Sequence, residues 1–287
     1  MARSRVKQKV WIARGGRLKR EKAVLAREMP FEIQVRAGRE RQSVANILRT
    51  PGNDYELAAG LLYAEGYLDN KQGFSHMTYC MDDATRQEYN LLTVSLRANH
   101  LPQPPRPDRV VIDGRTCGVS SESVVEATIA LHEQRQGTQL PAGPQVNLDL
   151  LRGLPGTVDE ARAPGLGAAG AAAALFDSAG TLLELREDVV AANALDKLVG
   201  WGLLNGRLPF HEQILLVTGR ATFSTLQRAA LAGIPVVCCR QPPSTLAVSI
   251  AYRFDITLAT VAEETAGAVA GAVAGAVAVY TGRERIT

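Results

Sequence analysis

Residues 213–239 read "QILLVTGRATFSTLQRAALAGIPVVCC". The run Ile214–Val217 is continuously apolar and stops at Thr218-Gly219. "ATFSTLQRAALAG" then carries apolar residues at helical spacing and ends at Gly233. "IPVVCC" is again continuously apolar. Short unbroken apolar strands on either side of an amphipathic helix are the pattern of a parallel sheet buried on both faces. Downstream, "PSTLAVSIAYRF" reads as a helix, with Ser244 or Thr245 as its cap, and "DITLATV" as a further strand. Upstream, "AAAALFD" and "GTLLELRED" read as a hairpin. "ANALDKLVGWGLLNG" reads as a helix with Leu195, Leu198, Val199 and Leu203 on one face. The alternation predicts an α/β sheet of parallel strands, with helices on both faces. Ligands of such sheets sit outside the carboxyl ends of the strands.

The first hundred residues read differently. "FEIQVRAG" alternates as a half-buried strand. "TPGNDYELAAGLLYAEGYL" turns at Pro51-Gly52-Asn53 and continues as a helix, with Asp54 as a plausible N-cap. "ANHLPQPPRPDR", residues 98–109, is the linker candidate. The expected division is a basic, flexible arm over 1–22, a smaller N-terminal α/β lobe over 23–108, and an α/β core over 109–287. The arm holds Arg3, Arg5, Lys7, Lys9, Arg14, Arg17, Lys19, Arg20 and Lys22. No apolar segment follows it, so it is not a secretory signal. A net charge of +3 is too small to imply a nucleic-acid partner. Ala266–Val279 is a small-residue run of 14 residues, short of the about 20 that a membrane helix needs. A cytoplasmic protein without a membrane span is expected.

Two strand ends and one loop are the candidate sites. Thr218, Gly219 and Arg220 close a strand and open a helix. Amides at that helix start and the Arg220 guanidinium suit an anionic group; a plain turn that needs Gly219 for its backbone angle is the alternative. Cys238 and Cys239 close a buried strand and point to opposite faces, so they read as core. His76, His100, His132 and His211 are scattered singly, and no metal site is expected. Cys117 stands in "RTCGVSS", residues 115–121. Gly118 leaves the sulfur approachable, Arg115 adds positive charge, and a helix follows, with Ser123 and Glu126 in capping-box spacing. An ordinary loop cysteine and a working thiol are both open on these residues.

Longer blocks carry a resemblance. "REMPFEIQVRAG", "ILRTPGNDYELAAGLLYAEGYL", "EDVVAANALDKLVG", "LLVTGRATFSTLQRAALAGIPVV", "PSTLAVSIAYRFDITLA" and "VYTGRERI" resemble the formate dehydrogenase accessory sulfurtransferase family, FdhD. The resemblance covers the chain from about residue 20. It implies a cytidine-deaminase-like α/β sheet with an added N-terminal lobe, and a homodimer. It implies sulfur transfer from a cysteine desulfurase to the molybdenum cofactor, as bis-molybdopterin guanine dinucleotide, for formate dehydrogenase. Cys117 matches the persulfide-carrying loop cysteine, and Ser120 stands where the family has a second one. Nucleotide contacts are implied for Thr218, Gly219 and Arg220, for Asp188, Asn193 and Lys197, and for Val261, Ala262, Glu263, Glu264, Thr265 and Ala266. The chain also departs from the family pattern. Ala171 replaces a histidine, Val190, Ala191 and Ala192 replace glycine, arginine and histidine, and Glu263 replaces an arginine. A carboxylate at Glu263 would repel a pyrophosphate. These losses leave a second reading open: a non-catalytic paralog that binds the same partners without moving sulfur. For Asp196 and Lys197 a solvated helix face is the bland alternative.

Overall fold

The computed structural model describes residues 4–80, 89–102, 121–137, 142–162, 170–261 and 276–287. A six-stranded sheet forms the centre. Its strands are β7 (Ala171–Phe176), β8 (Leu182–Asp188), β9 (Ile214–Arg220), β10 (Val236–Gln241), β11 (Thr257–Val261) and β12 (Val277–Thr281). Their order across the sheet is β12-β11-β10-β9-β7-β8. Alternation along β9 and β10 explains their unbroken apolar sequence. Leu215, Val217, Val237 and Cys239 belong to one hydrophobic cluster, and Ile214, Leu216, Val236 and Cys238 to the other. Helices α4 (Ala191–Leu204), α5 (Phe223–Leu231) and α6 (Thr245–Arg253) contribute to the first cluster. Helix α3 (Leu148–Ala161) contributes Leu151, Leu154 and Val158 to the second. The sheet is therefore covered on both faces, as the sequence predicts.

The sheet is mixed rather than parallel throughout. β9, β10 and β11 run parallel, whereas β7 pairs antiparallel with both β8 and β9, and β12 pairs antiparallel with β11. β8 reaches β9 through α4 as a parallel crossover, and β7 fills the gap between them because its hairpin ties it to β8. That turn is closed by the Asp177 carboxylate, which accepts from the amides of Ala179 and Thr181.

The N-terminal lobe is a four-stranded sheet in the order β4-β3-β6-β5. It comprises β3 (Met29–Ala37), β4 (Glu40–Arg49), β5 (Phe74–Tyr79) and β6 (Leu91–Leu96), with helix α1 (Asp54–Ala64) following β4. Asn53 occupies the α1 cap in a left-handed conformation, so Asp54 is the first helical residue rather than the cap. One hydrophobic cluster runs from Ile33 and Leu92 through Leu57 and Leu198 to Leu215, so the two sheets share a core. The lobes meet where α1 crosses α4. Gly60 and Gly200 face each other there: a Cβ on Gly60 would lie 2.9 Å from the Gly200 nitrogen, and one on Gly200 would lie 2.8 Å from the Gly60 nitrogen.

Residues expected as a flexible arm form a hairpin instead. β1 (Arg5–Arg14) and β2 (Arg17–Ala26) pair antiparallel over their full length. Gly15 and Gly16, both at positive φ, make the two-residue turn. Among the described residues no helix is long and apolar enough to cross a membrane.

Candidate functional site

The carboxyl ends of β9, β10 and β11 form a rim, and the sequence-predicted residues reach it to different degrees. The Thr218 hydroxyl accepts from the Ala172 amide at 2.9 Å, which holds the start of β7 against β9. Gly219 has no positive φ, and a Cβ there would meet nothing within 4 Å. Neither turn geometry nor packing demands glycine at this position; its backbone faces open space. Arg220 is exposed, and its Nη1 donates to the Pro242 carbonyl in the β10–α6 connection. The Ser244 amide donates to the Ala221 carbonyl at 3.0 Å, joining the same two connections. Ser244 caps α6 by accepting from the Ala247 amide. β11 ends at Val261 beside Val277 of β12. Cys117, Ala262, Glu263, Glu264, Thr265 and Ala266 lie outside the described residues.

Asp188, Asn193 and Lys197 do come together, but as a buried tie between the lobes. Lys197 Nζ lies 2.7 Å from an Asp188 oxygen, and also donates to the carbonyls of Thr50 and Glu187. Asp188 accepts from the Thr50 and Val190 amides and from Asn193 Nδ2. Asn193 also donates to the Leu48 carbonyl. Lys197 and Asp196 are 2% and 1% exposed, so neither lies on a solvated helix face. Asp196 is instead bound by both Nε and Nη2 of Arg228, at 2.5 and 3.0 Å.

Helix α2 (Ser121–Gln136) bears on the cysteine loop. Its described residues begin at Ser121, four residues after Cys117 in the sequence. At its other end Gln136 Nε2 donates to the Leu231 carbonyl, where α5 finishes. His132 packs edge-on against Phe254 just past the end of α6, and burial holds its pKa below the usual imidazole value. The carboxyl ends of α2, α5 and α6 therefore meet on one side of the molecule.

The described thiols are unlike one another. Cys238 and Cys239 are fully buried, and burial pushes both thiols up from their ordinary pKa. Cys239 Sγ also lies 3.4 Å from the Ala259 carbonyl. Cys80 is exposed. No group of acidic, histidine or cysteine side chains with metal-holding geometry occurs among the described residues.

A separate cleft of about 320 Å³ opens at the start of α1, lined by Arg49, Asp54, Tyr55, Tyr79, Tyr89 and Leu204 among others. Sequence reasoning missed it, because Tyr79, Tyr89 and Leu204, which close it over the contiguous stretch 49–56, come from distant parts of the chain. Asp54 organises it, accepting from Arg49 Nε at 3.0 Å, Arg49 Nη2 at 2.8 Å and the Tyr79 hydroxyl at 2.9 Å. Burial and the Asp54 carboxylate raise the Tyr79 pKa, so its hydroxyl keeps its proton and donates.

Residues 26–287 match the sequence model of the FdhD/NarQ family. The chain is 36% identical over 263 residues to the sulfur carrier protein FdhD of Nocardia farcinica, covering 90% of this chain and 88% of that one. It is 35% identical over 269 residues to the protein of the same name from Mycobacterium tuberculosis, covering 92% and 91%. With the Thermoplasma volcanium sulfur carrier protein FdhD it shares 31% over 239 residues, covering 82% of each chain. The fold matches the crystal structure of a formate dehydrogenase accessory protein from Desulfotalea psychrophila. The TM-score is 0.69 at 20% identity, over 99% of both chains.

Proposed function

The chain belongs to the FdhD/NarQ family, and from that membership we propose that it is a sulfur carrier in formate dehydrogenase maturation, holding the sulfur on Cys117 as a persulfide. The observation that carries this reading is the match over residues 26–287, together with relatives named for sulfur carriage. Burial supports the choice of thiol. The reactive species is the thiolate, and the core around Cys238 and Cys239 disfavours it. Cys117 is joined by three residues to the amino end of α2, where free amides and the helix dipole favour negative charge.

The chemistry needs one thiol. The Cys117 thiolate attacks the outer sulfur of a persulfide on a cysteine desulfurase. The S–S bond of that persulfide breaks, the desulfurase cysteine leaves as a thiolate, and Cys117 keeps the outer sulfur. Ser120 in place of a second cysteine removes an internal disulfide as a competing product. The client substrate is the molybdenum cofactor in its bis-molybdopterin guanine dinucleotide form. Arg220 and the open backbone at Gly219 would receive its phosphates. Asp188, Asn193 and Lys197 hold the lobes together beneath that site; their polar atoms are engaged inside the fold.

Incubation with a cysteine desulfurase and sulfur-labelled cysteine, followed by peptide mass spectrometry, tests the carrier. The label is expected on the Cys117 peptide and absent in Cys117→Ala. Label on Cys80, or label retained by the variant, would overturn it. A protein that takes no label yet still binds the desulfurase would support the non-catalytic reading. Calorimetry with GDP tests the rim separately: loss of a charged hydrogen-bond donor in Arg220→Ala is expected to weaken binding about tenfold or more. Equal affinity in the two proteins would exclude Arg220 from the nucleotide site.

A further inference from the structure

The cleft at the start of α1 carries hydrogen-bond donors that the fold leaves unused. Arg49 is 0% exposed and lines it. Arg49 Nε and Nη2 donate to Asp54, and Nη2 also donates to the Tyr89 carbonyl. Arg49 Nη1 is buried and has no hydrogen-bond partner. The guanidinium carbon sits 4.8 Å from the centre of the Phe31 ring, which does not replace an oxygen acceptor. A buried donor left unpaired carries its full desolvation cost, so Nη1 marks a place for an acceptor from outside the chain. The first amides of α1 add to it. Asn53 gives them no side-chain cap, and the first turn of a helix has no acceptor of its own.

The carboxylates in the same walls are spent. Asp54 Oδ1 accepts from Arg49 Nε and the Gly52 amide, and Oδ2 from Arg49 Nη2 and the Tyr79 hydroxyl. Glu56 accepts from Nε and Nη2 of Arg186. The cations are spent with them, Arg49 on Asp54 at 2.8 Å and Arg186 on Glu56 at 2.6 Å. These walls suit an uncharged ligand that brings an acceptor oxygen, and they give a phosphate no free cation. The rest of the surface is aromatic and apolar. The Tyr79 ring centre lies 5.5 Å from that of Tyr55 and 5.2 Å from that of Tyr89, and Leu204 completes the lining. Aromatic side chains hold flat heterocycles by stacking. A volume of about 320 Å³ is at the small end of ligand cavities and fits one small molecule.

We propose that this cleft binds an uncharged, flat nitrogen heterocycle with a ring carbonyl, the chemistry of an oxo nucleobase. The ring lies against the tyrosines, and its carbonyl oxygen accepts from Arg49 Nη1. Because Nη1 is enclosed, entry requires a side chain to move. Tyr55, 38% exposed and the outermost of the three rings, is the one with room to turn aside. The walls come from both lobes, Leu204 from α4 and the others from the N-terminal lobe. A bound ring therefore ties the lobes together and is expected to raise the melting temperature. Thr218, Gly219 and Arg220 are not among the lining residues. The site is thus separate from the rim that would receive phosphates, and it does not rest on sulfur carriage.

Calorimetric titration of the full chain with inosine, which carries a ring carbonyl and no phosphate, tests it. Saturable binding at about 0.1 mM is expected for a ligand of this size. Purine riboside, the same nucleoside without the ring carbonyl, is expected to bind about tenfold more weakly, because Nη1 then stays unpaired. Tyr55→Ala removes stacking surface and is expected to weaken inosine about tenfold. Leu204→Trp fills the cleft and is expected to abolish binding. Tyr55 is exposed and Leu204 partly buried, and the melting temperature without ligand checks that both variants remain folded. Arg220→Ala and Cys117→Ala are expected to bind inosine as the parent chain does, which keeps this site distinguishable from the rim and the carrier thiol. No binding at millimolar inosine, equal affinity for the two nucleosides, or binding indifferent to both cleft variants would overturn the proposal. So would loss of inosine binding in Arg220→Ala, which would move the ligand to the rim.

Discussion

Gly200→Ala is expected to lower the melting temperature by roughly 4–8 °C, read by calorimetry or by circular dichroism at the α-helical band. Alanine in place of a helical glycine ordinarily helps by about 1 kcal/mol. At this crossing the added methyl meets the Glu56 carbonyl oxygen and the Gly60 backbone, not a flexible side chain. Backbone cannot step aside by changing rotamer, so α1 and α4 must separate along their contact. Overpacking of this kind costs about 1–3 kcal/mol and occasionally more. With no soft neighbour the top of that range applies, and after the helix-propensity gain the net loss is about 2 kcal/mol. Each kcal/mol is worth roughly 2–4 °C in a chain somewhat smaller than this one. Gly153→Ala in α3 is the control: the same chemical change, again in a helix, but with nothing within 4 Å of the new Cβ. It is expected to leave the melting temperature unchanged or raise it. If Gly200→Ala and Gly153→Ala behave alike, the close crossing is not what joins the lobes.

That contrast marks what the chain makes legible. β9, β10 and β11 can be read from residues alone because burial on both faces leaves no polar alternation to confuse. The β7–β8 pair can be read because its turn residues, Asp177 to Gly180, are local. The antiparallel placement of β7 between β8 and β9 is not local; an alternation of elements reports crossovers, not the strand that slips between them. Gly60 and Gly200 look like ordinary helix-weakening glycines until the two helices are brought together. The N-terminal hairpin hides for another reason. Lysine and arginine at most of its positions resemble a solvated run, and Gly15-Gly16 was the one turn signal within it.

The candidate site was legible to the extent that chemistry and strand ends coincide. Thr218, Gly219 and Arg220 stand at the rim because β9 ends there. Ser244 caps α6 as its residue type predicts. Asp188, Asn193 and Lys197 were grouped correctly but assigned outward. What reverses the assignment is Thr50, which lies 138 residues before Asp188 and bonds it through its amide. No spacing within residues 187–197 carries that information.

Lys197→Met separates the two roles for these residues. If Lys197 held a ligand, its loss would weaken nucleotide binding and spare the fold. The geometry makes the opposite result the expected one. Asp188 is 0% exposed, and its only cation partner is Lys197, at 2.7 Å, among the described residues. Its other partners are the Thr50 and Val190 amides and Asn193. Methionine removes the charge while keeping most of the volume, so Asp188 is left as an uncompensated buried carboxylate. Breaking a buried pair from one side costs about 3–5 kcal/mol, enough to unfold a marginal protein near its growth temperature. The Thr50 and Glu187 carbonyls lose a donor at the same time. Pairing Lys197→Met with Asp188→Asn removes the stranded charge, and the double variant is expected to recover a large part of the loss. A double-mutant cycle from urea unfolding measures the coupling, expected at about 0.5–3 kcal/mol for groups in direct contact. Additive losses, or a stable Lys197→Met that no longer binds GDP, would return Lys197 to the ligand site.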